Sequence, residues 1–236
     1  MPAYDSYTHH DAFGPKRWSH QRRFHDGLRL LQLHPHDRLL DYGCGDGYFL
    51  KLCAKAVPEA TFVGYDPLAN MADQARQALA NTKIVVTETL AELQTNSFSH
   101  ITCLETCEHL VPDALDQTLR DIRDVLDPRG LAVFSVPVEI GPVSLVKNLY
   151  RHLRRPTYEN WTWRNLWQAT VGLPVAPFIN QALGHPYIFS HIGFDHRRFA
   201  ARLRSDFRIE RVVYTPFSGL GFLCNPTVYY LCRPRP

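Results

Sequence analysis

The stretch LLDYGCGDGYFL, Leu39 to Leu50, places three glycines, Gly43, Gly45 and Gly47, within five residues directly behind an apolar run. A glycine inside a helix or strand costs roughly 0.5–1 kcal/mol, so such clusters sit where the backbone bends sharply or lets another group approach. Arg38-Leu39-Leu40-Asp41-Tyr42 reads as a buried strand, and a helical pattern begins at Tyr48-Phe49-Leu50-Lys51-Leu52. The glycines therefore occupy a strand-to-helix turn. In an open α/β sheet that turn lies at the carboxyl-end crevice where ligands bind.

Outward from the turn, strands and helices alternate. Apolar spacing and Pro/Gly punctuation predict helices over 15–33, 47–57, 69–80 and 113–126, the last with Leu115, Leu119, Ile122, Val125 and Leu126 at helical intervals. Strands are expected at 38–43, 61–65, 83–87, 100–104 and 131–136. That alternation implies βαβ units and a parallel sheet. After residue 137 the rhythm breaks. Residues 138–194 are rich in Pro, Trp and basic side chains; Asp195 then caps a helix over 196–205, and 207–215 and 226–233 read as an antiparallel hairpin. The expected division is an N-terminal helix and lid (1–36), a core (37–137), an aromatic and basic insertion acting as acceptor lid (138–194), and a terminal helix and hairpin that complete the sheet (195–236). Tyr4–Trp18 is the candidate lid at the start of the chain.

Composition sets outer limits. The 236 residues are 45% hydrophobic and 21% charged, as in an ordinary globular protein. The first residues carry no apolar h-region and no run nears 18 apolar residues, so neither a signal peptide nor a spanning helix is expected. Cys44, Cys53, Cys103, Cys107, Cys224 and Cys232 form no C-x-x-C pair, and the reading is free thiols in a reducing cytoplasm. Charge is uneven: residues 1–137 hold 13 Lys/Arg against 18 Asp/Glu, and residues 138–236 hold 13 against 5. The basic C-terminal part points to an anionic partner.

Asp66 ends the second strand, 25 residues after Asp41, where a carboxylate can accept both hydroxyls of a ribose. No P-loop lysine follows the glycines, and Asp46 within the loop would repel a pyrophosphate. The expected ligand is a nucleoside without phosphates that carries positive charge.

LLDYGCGDGYFL, then VGYDPLANM, then NSFSHITCLETCEHL, in that order, resemble the class I S-adenosylmethionine-dependent methyltransferases, with the ubiquinone-type O-methyltransferases as the most similar branch. The resemblance covers residues 38–137. It implies a Rossmann-like α/β fold: a seven-stranded sheet flanked by helices, its last strand antiparallel, here with a helical insertion after strand five. It also implies site roles. Gly43, Cys44, Gly45 and Gly47 would carry the amino-acid end of S-adenosylmethionine, and Asp41 would reach its ammonium. Asp66 would hold the ribose, with Pro67 and Met71 beside the adenine. Thr89 or Leu90 falls where the family often has an acid for the adenine amine. Leu104 and Glu105 would sit beside the sulfonium.

The segment CLETCEHL places Glu105, Glu108 and His109 in an E-x-x-E-H pattern just past the fourth strand. Two carboxylates and an imidazole on one face suit a divalent ion such as Mg²⁺. In the ubiquinone-type and small-RNA 2′-O-methyltransferases a similar triplet is a metal site, completed in the RNA enzymes by a further histidine, for which His191 or His196 is the candidate here. The other reading makes His109 a catalytic base or acceptor-orienting group beside Glu105.

In PVSLVKNLYRHLRRP, Val146, Leu149 and Leu153 line one helical face and Lys147, Arg151, Arg154 and Arg155 the other, with Trp161, Trp163 and Trp167 following. Such a segment covers a substrate pocket, lies in a membrane interface over 143–167, or grips a phosphate-bearing or nucleic-acid acceptor. The expected function is methyl transfer to an oxygen, less readily a nitrogen or carbon, of a small-molecule or lipid-linked acceptor. The expected setting is the cytoplasm, with peripheral membrane contact. The alternatives are an RNA 2′-O-methyltransferase and a non-catalytic cofactor-binding protein.

Overall fold

The computed structural model describes residues 14–93, 95, 97–154, 160–180 and 186–235, without the side chains of 14–21, 154 and 218. The lid expected over Tyr4–Trp18 lies outside them except for helical backbone from Gly14. In chain order the elements that matter are α1 (Gly14–Leu31), β1 (Arg38–Tyr42), α2 (Tyr48–Ala56), β2 (Thr61–Tyr65), α3 (Ala69–Ala78), β3 (Val85–Thr87), β4 (Phe98–Leu104), α4 (Pro112–Val125), β5 (Leu126–Pro137), α5 (Pro142–Arg154), α6 (Trp163–Val171), β6 (Ile179–Asn180), β7 (Tyr187–Ile188), α7 (His196–Asp206), β8 (Phe207–Thr215), α8 (Gly221–Cys224) and β9 (Thr227–Pro234).

Seven strands form one sheet in the order β3-β2-β1-β4-β5-β9-β8. β1 pairs in parallel with β2 and with β4, and β2 with β3; Asp41 stands opposite Gly64 on one side and Thr102 on the other. The sheet is mixed. β8 and β9 are consecutive neighbours joined without a crossover helix, which makes the last strand the antiparallel one. This is the expected seven-stranded fold with helices inserted after the fifth strand. β1 buries every residue but its first because a central parallel strand is covered on both faces.

The chain forms two compact units. The first holds Met1–Leu104, Asp121–Val133 and Leu231–Pro236, with a core that includes Leu39, Leu40, Leu50 and Ile101. α2 presents Phe49, Leu50 and Cys53 to that core, and α3 presents Met71, Ala72 and Ala75. The second unit holds Glu105–Arg120 and Phe134–Tyr230. Phe134 anchors it, with ring contacts to Phe207 at 5.3 Å and Phe199 at 6.2 Å. Asp195 caps α7 as expected, accepting from the Arg197 amide.

The insertion folds as α5, α6 and a two-residue hairpin, in which Ile179 pairs with Ile188 and Asn180 with Tyr187. Thr162 caps α6 by accepting from the Asn165 amide, and Gly172, at φ 75°, ends it. α5 departs from the amphipathic expectation in which face it turns inward. Ser144 and Asn148 are fully buried, and Lys147 and Arg151 reach the wholly buried Glu139. Val146 and Leu153 stand in solvent. A buried carboxylate requires countercharge more strongly than two aliphatic side chains require cover, so the polar face wins.

Candidate functional site

The glycine loop of the first unit is built by necessity rather than economy of side chains. Gly43, Gly45 and Gly47 have φ of 81°, 54° and 77°, the left-handed region that other residues resist. The amides of Gly43 and Cys44 both donate to the Tyr65 carbonyl, which fastens the loop to the end of β2. The three glycines have different jobs. A Cβ on Gly47 would come within 2.7 Å of Leu79 Cδ1, so that glycine lets α2 and the end of α3 approach each other. A Cβ on Gly45 would meet only Met71 Cε, at 3.6 Å, so this position opens on free space. Cys44 is buried, and burial pushes its thiol up, which leaves it an uncharged wall of the loop.

Two carboxylates converge on this loop. Asp66 accepts from the Gly45 amide through Oδ2 and from the Leu68 amide through Oδ1, both at 3.0 Å. Its oxygens keep further lone pairs for a ligand hydroxyl. Burial raises its pKa and the two amides hold it down. Asp41 is 3% exposed and accepts from Thr102 Oγ1 at 2.7 Å. Burial lifts its pKa to about 7, the Thr102 hydroxyl restrains it, and the charges of Asp66 and Asp46 push it further up. A carboxyl this reluctant to ionise is what a cationic ligand would recharge.

The remaining residues expected at the cofactor site close or follow strands β2, β3 and β4. Met71 is buried against Gly45, Pro67 is exposed after Asp66, and Leu104 closes β4 half-buried. Thr89 is exposed and Leu90 opens a single helical turn. The polar group buried at the end of β3 is instead Thr87, whose hydroxyl donates to Glu92 and accepts from the Thr89 amide. Glu88 is engaged with Arg76 at 2.7 Å, so Glu92 is the acid drawn to that strand end. Thr102 and Glu92 were not foreseen. The β1–β4 register alone would have found Thr102 opposite Asp41.

The second unit carries a histidine pair. His109 ends the one-turn helix Cys107–His109, and Tyr187 bridges to Leu110, which brings the β6–β7 hairpin onto that turn. His109 stacks on Tyr187 at 4.7 Å with 9° between the rings. Its Nδ1 lies 2.8 Å from the Ile188 carbonyl, which only accepts, so Nδ1 carries the proton and donates it there. His109 Nε2 is then a lone pair, 3.3 Å from His191 Nε2, and His191 is the donor of that contact. Burial lowers both histidines, His191 well below its ordinary value, and each is neutral near pH 7.

The fully buried Glu108 lies 4.0 Å from His109 Nε2, and Glu108, His109 and His191 form one cluster of candidate ligand atoms. Glu105, expected as the third ligand of a Glu105-Glu108-His109 site, is not in it. Its backbone is left-handed at φ 52°, its amide donates to Ser135 O and Oγ, and its carboxylate accepts from Ser135 Oγ at 3.2 Å. The left-handed backbone goes with the Ser135 contact, and the Glu105 charge still acts on His109, raising its pKa against burial. His196 is also elsewhere, buried with Nε2 3.3 Å from the Tyr214 hydroxyl.

Residues 13–183 match the sequence profile of a family described as "Methyltransferase domain". A protein of Streptomyces fradiae, the uncharacterized 37.1 kDa protein in transposon TN4556, is 34% identical over 116 residues, 47% of this chain. The match spans a third of that relative's length. Among solved structures, PH0226 of Pyrococcus horikoshii OT3 superposes with a TM-score of 0.61 at 15% identity, covering 98% of this chain and 96% of the other. The N-methyltransferase NodS of Bradyrhizobium japonicum WM9, solved with S-adenosyl-L-homocysteine, gives 0.57 at 15% identity, covering 92% and 88%. At that identity the likeness is one of fold.

Proposed function

The chain belongs to the methyltransferase-domain family, and on that premise we propose that it moves the methyl group of S-adenosylmethionine to a hydroxyl oxygen of a small-molecule or lipid-linked acceptor. The observation that carries the reading is the joining of Asp66 to the Gly45 amide beside the buried, weakly ionised Asp41. One carboxylate suits a ribose diol, the other an ammonium group, and Gly45 leaves the space between side chains open. The ligand of NodS has both groups.

Transfer breaks the sulfur–carbon bond and forms a carbon–oxygen bond, and the acceptor's proton must leave. The sulfonium is already activated, so the protein's share is proximity, orientation and a place for that proton. His109, an imidazole of the second unit that is neutral near pH 7, is the group assigned to take it. The Ile188 carbonyl fixes the His109 tautomer, and the charge of Glu105 favours the imidazolium that forms. The Mg²⁺ expected from E-x-x-E-H does not fit: two imidazoles and one carboxylate are donors for a softer ion, and Mg²⁺ prefers oxygen. A second reading, methylation of an RNA 2′-hydroxyl, is favoured by His191 joining Glu108 and His109, as a fourth-ligand histidine would.

Incubating the protein with methyl-labelled S-adenosylmethionine and cell extract, then separating lipid, RNA and small-molecule pools, tests both. Label in the lipid or small-molecule pool, lost in Asp66→Ala, is the expected result. Asp66→Ala should weaken cofactor binding by about 1.5–3 kcal/mol, the loss of a charge-assisted hydrogen bond. Label in RNA selects the second reading. Cofactor binding with no label in any pool leaves a non-catalytic binder.

A further inference from the structure

Exposed large apolar side chains are distributed unevenly over this protein. Among the described residues, Val85 is the one such residue in the first unit, and the others lie between Leu145 and Leu223 in the second. Soluble surfaces scatter such residues singly; a concentration of them marks an interaction site.

The densest part is the outer side of α5 and α6. Val146, Tyr150 and Leu153 form an i, i+4, i+7 line on α5, with Val146 68% and Leu153 82% exposed. Trp163 and Trp167 follow at i, i+4 on α6, 69% and 65% exposed. Aromatic contacts connect the two helices: His152 stacks on Trp161 at 3.7 Å, and Trp161 meets Trp163 edge-on at 5.0 Å. The line on α5 faces outward for a structural reason. Glu139 binds Lys147 at 2.6 Å and Arg151 at 2.8 Å, and these two ion pairs fix the rotation of the helix about its axis.

Charge narrows the choice of occupant. Lys147 and Arg151 are taken up by Glu139, and over residues 142 to 193 that leaves Arg154, Arg155 and Arg164 against the single acid Glu159. Arg164 is exposed between the two tryptophans. A second copy of this face would set like charges together. Tryptophans beside cations, with aliphatic residues on the same side, match the boundary between lipid headgroups and acyl chains when the headgroups are anionic. Among the described residues no helix is long and apolar enough to cross a membrane, so the fit is to a surface-lying mode.

We propose that the outer face of α5 and α6 is a docking surface for an anionic lipid bilayer, with Leu153, Trp163 and Trp167 as its anchors. The inference is independent of the cofactor site and of the identity of the acceptor. The test is co-sedimentation of the full chain with phosphatidylcholine vesicles, with and without phosphatidylglycerol, read together with tryptophan fluorescence. Binding is expected to the anionic vesicles, with a blue shift, and to weaken as salt rises. Leu153→Ser/Trp163→Ser/Trp167→Ser should reduce partitioning by roughly a thousandfold, since each large apolar side chain withdrawn from water is worth about one decade. The three side chains are exposed, so circular dichroism and cofactor binding should match the parent and separate this loss from misfolding. No binding to either vesicle overturns the proposal, as does equal binding to neutral and anionic vesicles. It is overturned equally if light scattering shows a dimer that the triple variant dissolves while vesicles bind neither form.

Discussion

Lowering the pH should weaken S-adenosylmethionine binding through one group, Asp41. Its pKa of about 7 in the cofactor-free protein comes chiefly from burial. If the ligand's ammonium settles against it, binding requires the ionised form and releases a proton wherever Asp41 is still protonated. At pH 6 about one molecule in eleven carries an ionised Asp41, so affinity should be about tenfold weaker than its plateau and fall about tenfold more per further unit. Between about pH 5.5 and 7 an ordinary α-amino group stays protonated and contributes no break of its own. Calorimetry in two buffers of different ionisation enthalpy counts the proton directly, and close to one should leave at pH 6. Asp41→Asn should flatten the profile. Thr102→Val removes the hydroxyl that restrains the pKa and should move the break upward. The same group sets a stability trend. Its folded pKa is raised, so the cofactor-free protein loses stability as pH climbs from about 4 through 7, by on the order of 4 kcal/mol for a three-unit shift. An affinity independent of pH, with no proton released while Asp41 is intact, would refute the assignment. A break that survives in Asp41→Asn would do the same.

Gly45→Val should abolish cofactor binding and leave most of the fold, whereas Gly47→Ala, driven against Leu79, should lower the melting temperature first; equal effects of the two on thermal melting and binding would sink the distinction. His109→Ala should cut the turnover number by roughly 10²–10⁴-fold with cofactor affinity unchanged, the range for losing a positioned base. EDTA with no Mg²⁺ should leave the rate as it was, and full loss on chelation with recovery on added Mg²⁺ would restore the metal reading. Because both histidines are held below their ordinary values, the turnover number at saturating cofactor should stay flat as pH falls through about 6.5 and drop only below it, and a break at 6.5 or higher in that profile contradicts a neutral pair. Glu139→Gln strands Lys147 and Arg151 against a neutral amide and should cost about 3–5 kcal/mol by chemical denaturation. The pKa of Glu139 is held down to about 2, so its contribution is present above about pH 4.5 and disappears as pH falls toward 2, which a stability-versus-pH series in the wild type and variant would show.

The parallel core was legible in the sequence because its signals are local. Asp41 lies in a short strand, Asp66 follows one, and three glycines between a strand and a helix leave few conformations other than the turn observed. The antiparallel hairpin at the end was legible for the same reason. What the sequence by itself left open was every choice that needs a partner distant in the chain. The E-x-x-E-H spacing holds Glu105, Glu108 and His109 within five residues, yet Ser135 engages Glu105, and it is His191, 82 residues on, that joins Glu108 and His109. Periodicity separated Val146 and Leu153 from Lys147 and Arg151 on α5, but a stripe does not say which side is inside. Glu139, buried at the start of the insertion, decided that by holding Lys147 and Arg151, and the apolar stripe was left facing solvent. Local pattern reports the spacing of side chains along an element; only the tertiary fold supplies the charge that sets the rotation of the element about its axis.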